Sequence, residues 1–442
     1  MGNRGFDTPG RNSRTAPRAG APTSTAGSAT RRLTAALVLA GLLSATVTAT
    51  AGAAAPAAPA TPAASQAAVD RLGRGTLVDF VELRTVTAGQ ARQELRDDRW
   101  DPGTVRDDVT LYRLVYRTVD ATGRPTTATG LFALPASADR RLRVVSFTHG
   151  TELYRRDAPS TAEDTWGIAP ALTFASAGFA ATMPDYLGQG EGPGPHPWMD
   201  IPSETTASLD LLRAARSFAD SRGRSLEREV YVSGFSQGAS AALGLARALR
   251  SGADAFFRVG AIAPISGAYD FRRAELPALL RGDLDEKASV IYASLLLVSY
   301  NRLHHVYDRP ADVFQPLYAD TIEGLLDGSH TPTEVLRGTP ENIDALLTGP
   351  GRALLERPTG AFAAALRETD SVCTNWRPGV PVRLYVAVDD QEAAPANTAH
   401  CRAALRAAGA DVRVTRFGPE VTHSDSNRLG TAAVVRWFRE LG

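Results

Sequence analysis

The stretch "VYVSGFSQGASAALGLARAL", residues 230–249, predicts a strand, a sharp turn and a helix. An apolar run at 230–232 enters the turn, and a helix-forming run at 239–249 leaves it. Between them, Ser236 has glycine two residues before it and two residues after it. Glycine on both sides removes Cβ atoms that would collide in such a turn, and the serine hydroxyl is then exposed at the carboxyl end of a strand. We therefore interpret Ser236 as a nucleophile, the alternative being a small polar residue in a glycine-rich turn.

Apolar strands alternate with helices on both sides of this stretch. The strands are predicted at 110–118, 126–134, 142–151, 179–185, 257–270, 382–390 and 411–418, and the helices at 170–177, 204–222, 239–249, around Cys401 and at 429–441. We expect the first two strands to form an antiparallel pair. The alternation predicts an α/β fold in which a mostly parallel sheet is flanked by helices. Between residues 271 and 375 the alternation stops, and helices separated by Pro and Gly predict an inserted helical subdomain.

The first 68 residues differ in composition from the rest of the chain. Arginines precede an apolar run at 33–47, and small residues follow it, which is the order of a secretory signal peptide covering 1–51. The apolar run is too short for a comfortable membrane span, so a retained anchor is the less favoured alternative. Arg31 and Arg32 leave the twin-arginine export route open. The Ala/Pro-rich residues 52–68 predict a disordered linker. The remaining chain divides into a first core part, the helical insertion and a second core part, at 69–270, 271–375 and 376–442.

The charge balance limits the partners of the protein. Lysine and arginine together number 48, as do aspartate and glutamate, so the formal net charge is zero. No basic block lies outside the predicted signal, and the composition therefore implies neither nucleic acid nor an anionic membrane surface as a partner. We expect a secreted monomer with no stable membrane anchor after signal cleavage.

The two cysteines, Cys373 and Cys401, fit no metal-binding spacing. In an exported protein we expect them to form a disulfide. The neighbouring His304 and His305, with Asp308, fit either a metal site or a solvated surface, and we favour the surface. We expect no metal and no cofactor.

A nucleophilic serine needs a base to accept its proton and an acid to orient that base. Among the seven histidines only His423 lies late in the chain, in a polar loop predicted directly after the strand at 411–418. The acid is expected in the turn after the preceding strand, where Asp389 and Asp390 are adjacent. Successive residues of an extended segment point in opposite directions, so only one of the two can face the histidine.

The oxyanion of a tetrahedral intermediate needs preorganised N–H donors. The first candidate is the backbone N–H of Gln237, at the start of the predicted helix. The second is Thr151, which ends the turn "THGT" at 148–151 and offers a backbone N–H and a hydroxyl. An ordinary turn at the end of a strand is the alternative for this stretch.

Several motifs carry a resemblance to a known family. They are "HGT" at 149–151, "PDYLGQG" at 184–190, "GPHP" at 194–197, "GFSQG" at 234–238, "DQEAAPANT" at 390–398 and the late His423. Over residues 70–440 the chain resembles the secretory lipase family, the lipase-A-like branch of the α/β-hydrolases. The resemblance implies that Asp390 is the acid, that the insertion at 271–375 forms a cap or lid, and that Asp185 and Tyr186 are structural supports.

The residues and the resemblance together indicate a secreted serine carboxylic-ester hydrolase, an esterase or triacylglycerol lipase. It would act on a small-molecule ester or lipid through an acyl-enzyme, with Ser236, His423 and Asp390 as the catalytic triad. The alternatives are an exopeptidase with the same fold and triad, and a catalytically inactive extracellular binding protein. The apolar residues at 290–298 of the insertion fit either the core of the cap or the lining of an acyl channel.

Overall fold

The structure is a computed structural model that describes residues 73–441. The predicted signal peptide, the predicted linker and the first residues expected to fold, 69–72, lie outside this range. Within the described residues, nine strands form one sheet. The strands are β1 (Leu77–Val86), β2 (Val109–Val119), β3 (Pro125–Pro135), β4 (Arg141–Thr148), β5 (Ala180–Pro184), β6 (Ser225–Phe235), β7 (Arg258–Ile265), β8 (Val382–Ala387) and β9 (Val412–Phe417).

The order of the strands across the sheet is β1-β2-β3-β5-β4-β6-β7-β8-β9. Neighbouring strands are antiparallel from β1 to β5 and parallel from β5 to β9. The mostly parallel sheet is therefore as predicted, but three antiparallel strands open the chain instead of two. Strand β1 was not predicted because eight of its ten residues are exposed, so the strand lacks the alternation of apolar and polar residues that marks a half-buried strand.

Helices cover both faces of the sheet. Within the described residues they are α1 (Ala88–Asp97), α2 (Thr165–Ser176), α3 (Ile201–Ser221), α4 (Gln237–Arg250), α5 (Leu276–Arg281), α6 (Glu286–His304), α7 (Pro310–Val313), α8 (Pro316–Ala319), α9 (Ile322–Leu325), α10 (Pro332–Gly338), α11 (Ile343–Leu346), α12 (Gly349–Glu356), α13 (Gly360–Thr369), α14 (Ala396–Ala407) and α15 (His423–Glu440). One hydrophobic cluster joins α3, α4 and α14 to the sheet. A second cluster joins α1, α2 and α15 to it. The sheet therefore lies between two layers of helices, as the alternation predicted.

Helices α5 to α13 all lie between β7 and β8, where the sequence predicted the helical insertion. We call residues 271–375 the insert. Its central helix is α6, whose Val290, Ile291 and Leu297 are fully buried. A disulfide between Cys373 and Cys401 links the end of the insert to α14, as the sequence analysis expected. None of the described helices is long and apolar enough to cross a membrane.

Candidate active site

Ser236 occupies the sharp turn between β6 and α4. Its backbone has φ of 56° and ψ of −122°, a strained conformation for a residue with a side chain. The Ser236 N–H donates to the carbonyl of Ile265 on β7 at 3.0 Å, which holds the turn against the sheet. A Cβ at Gly234 would collide with the Thr148 side chain, and a Cβ at Gly238 would collide with the Thr148 carbonyl. Both glycines are therefore required by the close approach of β4, which explains the G-x-S-x-G pattern.

Three of the residues singled out in the sequence form one line of hydrogen bonds. The Nε2 atom of His423 lies 2.9 Å from Oγ of Ser236, and its Nδ1 atom lies 2.8 Å from Oδ2 of Asp390. The other oxygen of Asp390 accepts the backbone N–H groups of Glu392 and Ala393, each at 3.0 Å. All three side chains of the line are buried.

Asp389, the other candidate for the acid, is exposed, whereas Asp390 is 4% exposed. The structure thus brings Asp390 to the histidine and leaves its neighbour at the surface. The adjacent pair could not be separated from the residues alone, and the motif resemblance favoured the one that contacts His423.

His423 is the first residue of α15, and the prediction of a loop followed by a helix from 429 was wrong. The side chain of Thr422 caps this helix by accepting the N–H of Asp425 at 3.1 Å. The hydroxyl of Ser426 donates to the His423 carbonyl at 2.6 Å. The first turn is rich in serine, aspartate and asparagine, which are poor helix formers, so its polar sequence resembles a loop. Capping and burial of that turn produce the helix instead.

Acidic side chains beyond Asp390 act on His423. Burial by itself lowers the pKa of His423, but the negative charge of Asp390, followed by Glu392 and Glu275, raises it above its ordinary value. Burial raises the pKa of Glu275 to about 7 and also raises that of Glu392. The Tyr292 hydroxyl donates to Glu392 at 2.6 Å. Sequence reasoning missed these two glutamates, although the position of Glu392 two residues after Asp390 was an available signal.

The predicted oxyanion donors, Gln237 and Thr151, come from two different turns near Ser236. Gln237 begins α4, and the first N–H groups of a helix have no acceptor within the helix. Thr151 follows β4, and its hydroxyl accepts the indole N–H of Trp198 at 3.0 Å. A Cβ placed on Gly150 would lie 3.5 Å from Cβ of Ser236, so this turn closely approaches the serine. Both residues line a cavity together with Ser236.

Two cavities share Ser236, Thr151, Tyr292 and Glu392 in their walls. The larger, which we call the open lobe, spans about 940 Å³, a volume that includes space open to solvent, and its wall contains partly exposed residues such as Leu153. The smaller, which we call the buried lobe after its buried wall residues, spans about 400 Å³ on the same measure. Its apolar wall comes from the core and from the insert: Trp198, Met199, Phe271, Leu276, Leu279 and Leu296. All six of these side chains are buried.

Asp185 and Tyr186 hold the loop after β5 in place and line neither lobe. Asp185 accepts the hydroxyls of Thr129 and Ser160 at 2.6 and 2.5 Å. The Tyr186 hydroxyl donates to the carbonyl of His149 at 3.0 Å. Both contacts agree with the structural role that the motif resemblance implied. Between residues 73 and 441 there is no group of three or more His, Cys, Asp or Glu side chains placed to hold a metal ion.

With this geometry, the sheet order and the serine turn define the α/β-hydrolase fold, and comparison with solved structures supports that assignment. Similar structures include a candidate hydrolase from Legionella pneumophila subsp. pneumophila str. Philadelphia 1 and the rice cell wall degrading esterase LipA from Xanthomonas oryzae. Both are 23% identical to this chain and cover 83% of it and 98% of their own chains, with TM-scores of 0.76 and 0.73. Candida antarctica lipase A in its closed state is 15% identical, with a TM-score of 0.60, over 84% of this chain and 83% of its own.

The resemblance to lipase-A-like enzymes that the motifs indicated is therefore confirmed at the level of the fold. No protein-family model matches the chain, and no curated protein matches it by sequence.

Proposed function

We propose that the protein is a serine hydrolase of carboxylic esters. The observation that carries this proposal is the hydrogen-bonded line from Ser236 through His423 to Asp390 at the meeting point of the two lobes. A serine, a histidine and a carboxylate linked by hydrogen bonds activate the serine hydroxyl in hydrolases of several unrelated folds. The esterase and lipase activities named for two structural neighbours favour esters over other acyl substrates.

In the proposed reaction, Oγ of Ser236 attacks the ester carbonyl carbon while Nε2 of His423 takes the hydroxyl proton. Asp390 accepts the Nδ1–H of His423 and stabilises the imidazolium. The carbonyl oxygen becomes an oxyanion that accepts N–H groups of Gln237 and Thr151. His423 then gives its proton to the leaving alcohol oxygen as the carbon–oxygen bond breaks, which leaves an acyl-enzyme. A water molecule, deprotonated by His423, releases the acid by the same steps in reverse order.

The two lobes suggest how the substrate divides. The buried lobe has an apolar wall of buried side chains and suits the acyl chain, whereas the open lobe suits the alcohol portion. Each methylene transferred from water into an apolar pocket contributes about 0.8 kcal/mol until the pocket is full. Since the buried lobe is the smaller of the two, we expect short to medium acyl chains to be preferred. On this proposal the insert is a cap, because Phe271, Leu276 and Leu296 form part of that wall.

An exopeptidase is the second candidate, because two glutamates lie near the nucleophile and a free amino terminus would need such carboxylates. Both groups already have partners. Glu275 accepts the N–H of Ala394 at 3.0 Å and the Asn397 amide at 2.5 Å, and Glu392 accepts the Tyr292 hydroxyl. An ammonium group would have to displace these bonds, so the ester reading is favoured. The intact line of triad hydrogen bonds argues against an inactive binding protein.

The test is active-site labelling combined with a substrate panel. A fluorophosphonate should label the wild-type protein and fail to label Ser236→Ala, while Ser424→Ala, a matched control in the wall of the open lobe, should still be labelled. Alkyl esters should be hydrolysed faster than aminoacyl anilides. Labelling that persists in Ser236→Ala would reject the triad, and faster cleavage of the anilides would replace the esterase with the peptidase.

Export is part of the same proposal and has a separate test. We expect the mature protein in the culture medium to begin after Ala51, with the Cys373–Cys401 disulfide formed. Amino-terminal sequencing of the secreted protein measures the cleavage site. Recovery of full-length chain from the membrane fraction would contradict export.

A further inference from the structure

A buried polar cluster lies behind the serine turn and is not used by the triad. The side-chain Nε2 of Gln237 lies 2.7 Å from Oε1 of Glu204 on α3 and 3.0 Å from Nε2 of His196. Gln237 and Glu204 are 2% and 1% exposed, so water does not solvate them. The same Oε1 of Glu204 also accepts the backbone N–H of Met199 at 3.1 Å. Gln237 is the residue whose backbone N–H we assigned to the oxyanion.

The proton positions in this cluster can be deduced from the backbone carbonyl of Leu187, which can only accept a hydrogen bond. Nδ1 of His196 lies 3.0 Å from the carbonyl of Leu187, which can only accept, so Nδ1 carries a proton. Burial lowers the pKa of His196 to about 4, and its Nε2 is therefore an unprotonated acceptor. The amide group that faces this Nε2 must be the NH₂ of Gln237. The two protons of that NH₂ are then both used, one by His196 and one by Oε1 of Glu204.

Two oxygen atoms remain without a partner among the described residues. They are Oε1 of Gln237 and Oε2 of Glu204, and both are fully buried. They belong to two planar groups already joined by one hydrogen bond. A carboxylate and an amide oxygen would leave two buried acceptors with no donor, which is costly. A single proton on the carboxyl group supplies the missing donor.

The surroundings of Glu204 also oppose a negative charge. No Lys or Arg side chain in the described part of the chain forms an ion pair with it. The titratable groups that face it come from its own helix cap, the loop after β5 and helix α6: Asp200, Tyr186, His196 and Tyr300. Asp200 disfavours the ionised form by repulsion, and no facing group is cationic.

We propose that Glu204 is a protonated carboxylic acid whose Oε2–H donates to Oε1 of Gln237, closing a ring of two hydrogen bonds that positions the oxyanion-donating residue. Burial raises the pKa of Glu204 to about 8, in agreement with the proton that the ring requires. Glu204 lines neither lobe, so it is a positioning residue. Its effect on catalysis rests on the proposed function. Ionisation removes one bond of the ring and places a negative charge behind the site where the oxyanion forms.

The variant that isolates this proton is Glu204→Gln. A glutamine at this position accepts the Gln237 N–H through its oxygen and donates its own N–H to Oε1 of Gln237, so the ring persists without an ionisable group. We measure kcat/KM for a short-chain alkyl ester from pH 6 to pH 10 and take the ratio of E204Q to wild type. The titration of His423 is common to both proteins and cancels in this ratio. The ratio should stay near one below pH 7 and rise to roughly tenfold by pH 9, as the wild-type acid ionises near pH 8.

The matched control is Asp185→Asn, which removes another buried carboxyl with a raised pKa that does not contact Gln237. At pH values above 8, the ratio of kcat/KM for this variant to that of wild type should not increase. A flat ratio for E204Q, or an E204Q protein that is folded but inactive at neutral pH, overturns the proposal. Failure of E204Q to fold also overturns it, because a neutral isostere should replace a neutral acid.

An infrared measurement separates this proposal from the proposed function, because it needs no turnover. The difference spectrum of wild type minus E204Q should contain the carbonyl band of a protonated carboxyl at pH 7, and that band should disappear by pH 9. Absence of the band at pH 7 overturns the ring even in an active enzyme. A protein that shows the band but hydrolyses no ester refutes the esterase and leaves the protonated Glu204 standing.

Discussion

Histidine and glutamate lie on both flanks of Ser236 but in different charge states. We call the side with His423, Asp390, Glu392 and Glu275 the triad flank, and the side with His149, His196, Glu204 and Gln237 the oxyanion flank. On the triad flank, the charge of Asp390, with Glu392 and Glu275, raises the pKa of His423. On the oxyanion flank, burial lowers the pKa of His149 and of His196, each to about 4, and no carboxylate charge from the described residues raises either pKa. A histidine beside acids can gain a proton during the reaction, whereas a histidine buried among neutral groups only accepts or donates a fixed hydrogen bond.

This difference matches the charges that develop during ester hydrolysis. A positive imidazolium forms on the triad flank and is stabilised there by carboxylates. A negative oxyanion forms on the other flank, where a nearby carboxylate would oppose it. Substitutions on each flank, taken in decreasing order of their effect on activity, test this difference.

Asp390→Asn should give the largest loss among these substitutions, roughly 10⁴-fold in kcat. The asparagine amide can donate to Nδ1 of His423, which would favour the tautomer that cannot accept the serine proton. Asp389→Asn is the matched control, because its side chain is exposed, and we expect little change. Steady-state kinetics of both variants measure the difference. Equal losses in the two variants would mean that the acid lies elsewhere.

Thr151→Val should lower kcat by roughly 10²-fold with little change in KM. The Thr151 hydroxyl accepts the Trp198 N–H, so its own proton is available to donate to the oxyanion. Thr151→Ser keeps that hydroxyl and should retain most of the activity. If both variants lose activity equally, the threonine contributes through packing, and the backbone N–H remains the only donor of this turn.

Leu296→Ala enlarges the buried lobe and should extend the preferred acyl chain. Each additional methylene that fits should raise kcat/KM about fourfold, which corresponds to 0.8 kcal/mol. Leu297→Ala is the control, since Leu297 is fully buried but does not line the lobe. It should lower thermal stability and leave the chain-length preference unchanged. The measurement is kcat/KM for a series of esters with acyl chains from acetate to decanoate. An unchanged chain-length preference in L296A would mean that the buried lobe does not bind the acyl chain.

Much of the core could be predicted from the sequence because its signals are local. The strand, turn and helix around Ser236 follow from short apolar runs and two glycines, and the parallel strands repeat that pattern. Strand β1 was missed because an exposed edge strand has no buried face, so its sequence does not alternate between apolar and polar residues. The start of α15 at His423 was missed because its first turn depends on a cap and on burial of polar residues, which composition does not reveal.

The contact between Glu204 and Gln237 could not be predicted from the sequence for a different reason. Glu204 stands in the first turn of α3, where an acidic residue is common because it interacts favourably with the helix dipole. Its contact with Gln237 joins residues 33 positions apart, and only the packing of α3 against α4 brings them together. Glu204 carries no spacing signal, and the position of Gln237 after Ser236 does not reveal its side-chain partner. The choice between Asp389 and Asp390 could be made from the motif resemblance but not from the residues alone, because it depends on the path of the turn after β8.

The smallest expected effect concerns the second acid of the triad flank. Glu392→Gln keeps an oxygen that accepts the Tyr292 hydroxyl and removes only the charge. Because Glu392 raises the pKa of His423, its loss should lower that pKa. The base must be unprotonated, so activity falls as the pH drops through the His423 pKa, and the acid limb of kcat/KM should move to lower pH while the plateau stays within about twofold. Tyr292→Phe removes the hydroxyl that lowers the pKa of Glu392, so it should move the limb in the same direction by a smaller amount. An unmoved limb in E392Q would mean that Glu392 is neutral throughout this range and that Asp390 alone sets the proton affinity of His423.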